Sequence, residues 1–207
     1  MRRFLAWAES RPVDLGCSLS WSNSFRFPLQ NEQARREVLW GACLLLVLPG
    51  IGWLLNMGHR VEMVHRMHRG ESAWPAWTDY PRLFQNGLVT FAGMLYYFTP
   101  GLLALYLRQR SLALVLMLAA IVAIPGFMTH YCRQFDPREI FDPFRALSRV
   151  AQGGVAYWHA WAIALAALAL SFLGLLFGLA FLATSVWFWQ TAAISFATVF
   201  TRQLPRS

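Results

Sequence analysis

Few residues in this chain could do chemistry, and their spacing limits what that chemistry could be. Of five histidines, three fall within ten residues in GHRVEMVHRMHRGE (58–71): His59, His65 and His68. His65 and His68 are three apart, so a helix points them in similar directions, where they could share a metal ion or sense pH. The simpler reading is a solvated, lipid-facing helix, and no metal site is expected. His130 in GFMTHYC and His159 in AYWHAW stand near the ends of apolar runs. Imidazoles placed there could be axial ligands to a haem or a chlorophyll. However, no paired spacing on a common helix supports a ligand set, and Tyr131 and Trp158 beside them suit an aromatic belt. No cofactor is expected.

Cys17, Cys43 and Cys132 are widely spaced with no C-x-x-C pair, which predicts neither a disulfide nor a metal. Asp79, in SAWPAWTDY (72–80), is the carboxylate most worth testing, and Arg82 stands close enough to pair with it. Nothing offers it a catalytic partner. Trp74 and Trp77 in the same loop are expected to anchor it at a membrane interface. Gln190, the lone amide in SVWFWQTAAISF (185–196), wants a partner helix. It points to packing within the chain or between subunits. No catalytic residue is assigned, and the chain is read as non-enzymatic.

The elements that must position these residues follow from composition. AVILMFWYC make up 57% of 207 residues and DEKR only 14%, against roughly 25% charged in soluble domains. The charges fall in blocks between long uncharged runs, which marks an integral membrane protein of one domain's length. The net charge is +8 and every basic residue is Arg. Loops facing anionic headgroups account for the charge, the use of Arg alone fits a GC-rich genome, and nucleic acid is not an expected partner. The start, MRRFLAWAESRP, has only five apolar residues before Glu9, short of the roughly seven to fifteen of a secretory signal.

The chain divides into an N-terminal interfacial segment (1–37), an apolar run leading into a basic helix (38–69) and a Trp-rich loop (70–85). A helical hairpin (86–132), an amphipathic stretch (133–153), a second helical hairpin (154–200) and a tail (201–207) complete it. Residues 155–200 carry no charge, enough for two crossings at about 20 residues each. The turn between them is expected at Gly174–Gly178, a spacing that could also pack helices closely.

Pro-Gly pairs recur at 49–50, 100–101 and 125–126. The second and third lie in runs long enough for only one crossing and are read as kinks. The first is different. If residues 38–56 cross the membrane, the arginines divide eight against ten between the two faces; if the run turns back at Pro49-Gly50, they divide sixteen against two. Positive charge marks the cytoplasmic face, so a re-entrant hairpin is expected, although a kinked single span has the same composition. Proline breaks the helix and glycine tolerates reversed angles. Two amphipathic helices are expected on the headgroups. In 58–71, Val61, Val64 and Met67 form an apolar stripe among polar neighbours. In 136–151, Asp136, Pro137 and Glu139 cap, Ile140, Phe144 and Leu147 form the apolar face, and Asp142-Pro143 can restart the helix.

These motifs resemble a family of small polytopic membrane proteins known as domain of unknown function 4013. The likeness lies in SFRFPLQN, in LPGIGWLLNMGHRVEMVHRMHRGE and in WPAWTDYPRLFQNGLVTFAGMLYYFTPG, with Trp74–Tyr80 standing for the family's loop and Gly87-Leu88 for the opening of its next span. FDPFRALSRVAQGGVAYWHAWAIAL resembles its later amphipathic helix and span, so the likeness covers about residues 24–200. Trp74 departs from the family's usual aliphatic residue, and Arg throughout departs from its mixed Lys and Arg. The resemblance implies an integral membrane location and no established activity.

The expectation is an all-α membrane protein with four spanning helices, a re-entrant or kinked first segment and two interfacial helices. It would sit in a bacterial inner membrane with 57–85, 133–153 and the C-terminus cytoplasmic. Asp, Glu and Arg are absent within the four full spans, which removes the usual machinery of ion-coupled transport. The leading function is an accessory subunit or lipid-associated scaffold whose partners are membrane lipids and other membrane proteins. A passive channel or small-solute transporter comes next, and a haem- or pigment-binding subunit third.

Overall fold

A computed structural model describes residues 19–201; residues 1–18 of the N-terminal segment, Cys17 among them, and the tail beyond Thr201 lie outside the described residues. The protein is 86% helical without strands among them. We number the helices α1 (Trp21–Arg26), α2 (Glu32–Val47), α3 (Pro49–His68), α4 (Tyr80–Tyr106), α5 (Arg110–Gln134), α6 (Pro143–Leu173) and α7 (Ala180–Thr201). Short 3-10 turns lie at Phe27–Leu29, Pro137–Glu139 and Gly174–Phe177. Four helices are long and apolar enough to cross a membrane: Tyr80–Tyr106, Arg110–Gln134, Pro143–Phe177 and Ala180–Thr201.

Local signals account for the helix ends. Asn31, Asp79 and Asp142 each accept a backbone N–H three residues on, from Ala34, Arg82 and Arg145, satisfying donors that a helix start leaves free. Pro49 and Pro143 take first-turn positions, where the missing N–H costs nothing. The first Asp-Pro, at 136–137, holds only a 3-10 turn, and the α-helix begins at the second. Within α6 the backbone breaks at Gly154 (φ 51°, ψ −138°), a conformation that favours glycine. The helix therefore has two limbs.

The α2–α3 pair is an antiparallel hairpin. Glu37 meets His59, the Asn56 side chain donates to the Gly41 carbonyl, and a Cβ on Gly52 would lie 2.2 Å from the Leu44 carbonyl oxygen. The reversal is made by Leu48 (φ −135°, ψ 69°), between the two helices. Gly50 is ordinary helix, so its expected role in adopting reversed angles is corrected: the proline and the residue before it suffice. The other Pro-Gly pairs, 100–101 and 125–126, lie inside continuous helices. Their glycines sit at crossings, where an added Cβ would come within 2.7 Å of Met117 and of the Ala146 carbonyl oxygen respectively.

Helix α3 meets α4 almost backbone to backbone. A Cβ on Gly58 would stand 1.7 Å from the Leu83 carbonyl oxygen, and one on Gly87 would stand 1.9 Å from that of Leu54. This antiparallel register carries the hairpin tip, Leu48, level with Gly93, the middle of the 27-residue α4. Leu46, Val47, Leu48 and Ile51 at the tip are exposed. Residues 57–64 of α3 are buried on every side, including His59, Arg60 and Glu62. The expected headgroup-lying helix over 58–71 is therefore corrected: its first half is core, because α4, α5 and α7 surround it.

The spans alternate in direction. Tyr157 of α6 donates to the Val122 carbonyl of α5, Thr184 of α7 donates to Ser171 of α6 at 2.9 Å, and Gly153 lies against Val199. One end of the bundle accordingly gathers 69–79, 133–142 and Thr201, and the other gathers 107–109 and 174–179.

Candidate functional site

Two buried polar clusters flank α3. The first is built on Glu37, which is 6% exposed. Its Oε2 accepts from His59 Nε2 at 2.7 Å and from the Ala76 N–H at 3.1 Å, and its backbone carbonyl accepts from Trp77 Nε1 at 3.2 Å. The His59 ring stacks on Trp77 at 4.1 Å and lies 6.0 Å from Trp74. Trp74, 2% exposed, packs on Phe27 at 5.4 Å and opens a cis bond to Pro75. The expected interfacial anchoring is corrected for Trp74, which the loop folds inward over the base of the hairpin; Trp77 is half-buried and borders the cleft there. An open cleft of about 480 Å³, lined by Glu32, Gln33, Arg36, Glu37, Trp40 and Trp77, lies beside this cluster.

The second cluster centres on Arg60, which is 7% exposed. Its guanidinium lies 4.8 Å from the centre of the Trp189 ring and donates to Met128 Sδ at 3.6 Å. No ion pair among the described residues includes it. Glu37 is engaged by His59, and Glu62 pairs with Arg82 at 3.6 Å. Arg60 thus keeps a charge without a carboxylate, a costly arrangement inside a protein.

Arg60 stands at one end of a cavity of about 410 Å³ between α3, α4, α5, α6 and α7. The walls are apolar, with Phe98, Ile124, Met128, Phe188 and Phe196 prominent among them. Met128 and Cys132 of α5 mark the arginine end, and Ile121 of the same helix marks the depth. That is about 16 Å along the helix axis at 1.5 Å per residue, or one leaflet of a hydrocarbon core roughly 30 Å thick. Leu165 (55% exposed) and Ile121 (38%) line it as well, so the cavity opens sideways on the outer flank of the bundle. The arrangement suits a chain of hydrocarbon with a polar head, and contains no nucleophile and base in hydrogen-bond reach.

The residues singled out in the sequence scatter. His65 Nδ1 lies 2.8 Å from the Cys132 carbonyl, and its ring packs on Phe135 at 4.2 Å. His68 instead faces Thr201, with its Nε2 buried and without a partner among the described residues. Burial, with Arg133 and His65 nearby, depresses the His68 pKa to about 4. His130 packs against Phe200 and His159 against Trp21; neither lines the apolar cavity. Among the described residues no three potential metal ligands converge.

Asp79 is a helix cap, and its expected pairing with Arg82 is corrected: the Arg82 guanidinium reaches Glu62 and the Phe135 ring instead. Gly178 (φ 62°) makes the turn before α7, while a Cβ on Gly174 would lie 2.3 Å from Thr184 Oγ1, so this glycine pair both turns the chain and permits close packing. Gln190 is 1% exposed with neither amide atom partnered among the described residues, beside a void of about 20 Å³ on the hairpin side of Arg60.

Sequence reading missed Glu37, Arg60 and Gly58. Glu37 sits between Arg36 and Val38 at the edge of an apolar run, and Arg60 sits among charges that read as a wet face. Only the irregular interval between Gly52 and Gly58 along an otherwise bulky helix hinted at a crossing. No family model matches the chain, and no curated protein or solved structure matches it.

Proposed function

We propose that this chain is a non-enzymatic, multi-pass protein of a bacterial inner membrane that associates with lipid, holding one acyl chain in the cavity between α3, α4, α5, α6 and α7. The reading is carried by one observation. A bundle with four helices suited to crossing a membrane leaves a 410 Å³ apolar cavity that opens on its outer flank. In a bilayer such a space fills with hydrocarbon, since an empty one forfeits dispersion contacts along its whole lining. The volume lies toward the small end of ligand pockets, roughly 300–1,000 Å³, which suits one chain better than two.

The α2–α3 hairpin is the proposed re-entrant element. Its exposed apolar tip reaches the mid-level of α4, and the arginine distribution supports its return to the face it left. The resemblance to the domain of unknown function 4013 family remains part of this proposal, supported by the motif residues Pro49, Trp74, Trp77, Asp79 and Gly87 lying around that hairpin.

The test fills the cavity. Ala193 lines it and is half-buried, so Ala193→Phe occupies the space with little strain elsewhere. Native mass spectrometry of protein extracted in mild detergent should show retained lipid on the wild type and at least about fivefold less on the variant. Equal retention by both would refute the reading.

A further inference from the structure

Burying an arginine without a carboxylate is expensive, and on its cavity side Arg60 is flanked by apolar and weakly polar groups: Val64, Met128, Thr129, Cys132 and Trp189. Glu37 is taken by His59, and Glu62 leans towards Arg82 at 3.6 Å; neither makes an ion pair with Arg60. A guanidinium in this state presents a fork of donors suited to carboxylate or phosphate oxygens. It stands at the end of the cavity nearest Arg133 and the turn 135–142, where a lipid's head would lie if its chain pointed towards Ile121 and Leu168.

We infer that the cavity selects an anionic phospholipid, with Arg60 binding its phosphate-bearing head and one acyl chain running inward along α5 to Ile121. This rests on the lipid-holding role proposed above and adds its specificity. The head supplies the missing counter-charge, and the chain supplies the apolar packing. The second chain of the same lipid stays outside, past the exposed Leu165.

The experiment offers the purified protein an equimolar mixture of phosphatidylglycerol and phosphatidylcholine and weighs the adducts by native mass spectrometry. The wild type should favour phosphatidylglycerol by about tenfold, the scale of one charge-assisted contact. Arg60→Gln should bring the ratio to within about twofold of unity while total retention persists, and Arg60→Lys should restore part of it. Ala193→Phe should lower both lipids together. A wild type that retains both lipids equally overturns the selectivity and leaves the acyl-chain reading standing, as does a folded Arg60→Gln protein with an unchanged ratio. Retention no greater than that of Ala193→Phe overturns both.

A second measurement needs no variant at Arg60. Phosphatidylglycerol carrying a photoreactive group close to its head should label peptides containing Arg60, Met128 and Cys132, and one carrying it at the chain end should label those containing Ile121 and Leu165. The reverse pattern refutes the pose.

Discussion

Glu37 satisfies two buried donors with one carboxylate oxygen, the His59 ring and the Ala76 N–H. Glu37→Ala leaves both without a partner at the base of the hairpin. At about 1–3 kcal/mol for each orphaned group, we expect a loss of about 3 kcal/mol, visible as a lower thermal midpoint in detergent. Gln190 poses the opposite case. Its amide is already buried without partners, so Gln190→Leu removes a polar burden of similar shape and should raise stability by about 1–2 kcal/mol. A drop of that size would mean that the amide has a partner in the membrane.

His68 gives a pH dependence with a definite sign. Burial foremost, then Arg133 and His65, hold its pKa at about 4 rather than 6.5. Between those values the unfolded chain binds the proton and the folded chain does not, so stability is full above about 6.5, falls as pH drops through the window and levels off below about 4. His68→Gln should flatten that part of a thermal-midpoint profile.

At the level of helices, the α3–α4 crossing depends on two missing side chains. Gly58→Ala would drive a methyl against the Leu83 carbonyl at 1.7 Å, and the obstacle is backbone. The helices must then separate, which should cost about 2–3 kcal/mol or more. Gly50→Ala is the matched control: a Cβ there meets nothing within 4 Å. In a helix that exchange should be neutral or stabilising by up to about 1 kcal/mol. Thermal unfolding of the pair separates a packing requirement from a conformational one. The first limb of α6 shows how local cues can act alone: Asp142 caps, Pro143 starts the helix and Gly154 ends the limb, each for reasons confined to a few residues.

For the whole molecule, alternating spans and a returning hairpin place the 107–109 turn opposite the end that gathers 69–79 and 133–142. The proposed orientation, with arginine-rich segments towards the cytoplasm, predicts that a cysteine introduced by Gln109→Cys reacts with a membrane-impermeant thiol reagent applied to intact cells, and that Cys17 does not. Rapid modification of Cys17 would reverse the sidedness and remove the reason for the hairpin's return.

The amino-acid sequence determined the class and the count. Uncharged runs of about 20 residues have few stable fates outside a membrane, and each span must satisfy its backbone internally as a helix. Proline, aspartate and glycine then marked several ends, because their effects act within one turn. What tertiary structure alone decided was the inside of the protein. Glu37, His59 and Arg60 look solvated when read along the chain, since no local pattern reveals that a later tryptophan loop will cover the first two, or that helices from the distant half will enclose the third. Burial is set by what packs against a residue, and those partners are brought together only when the bundle closes.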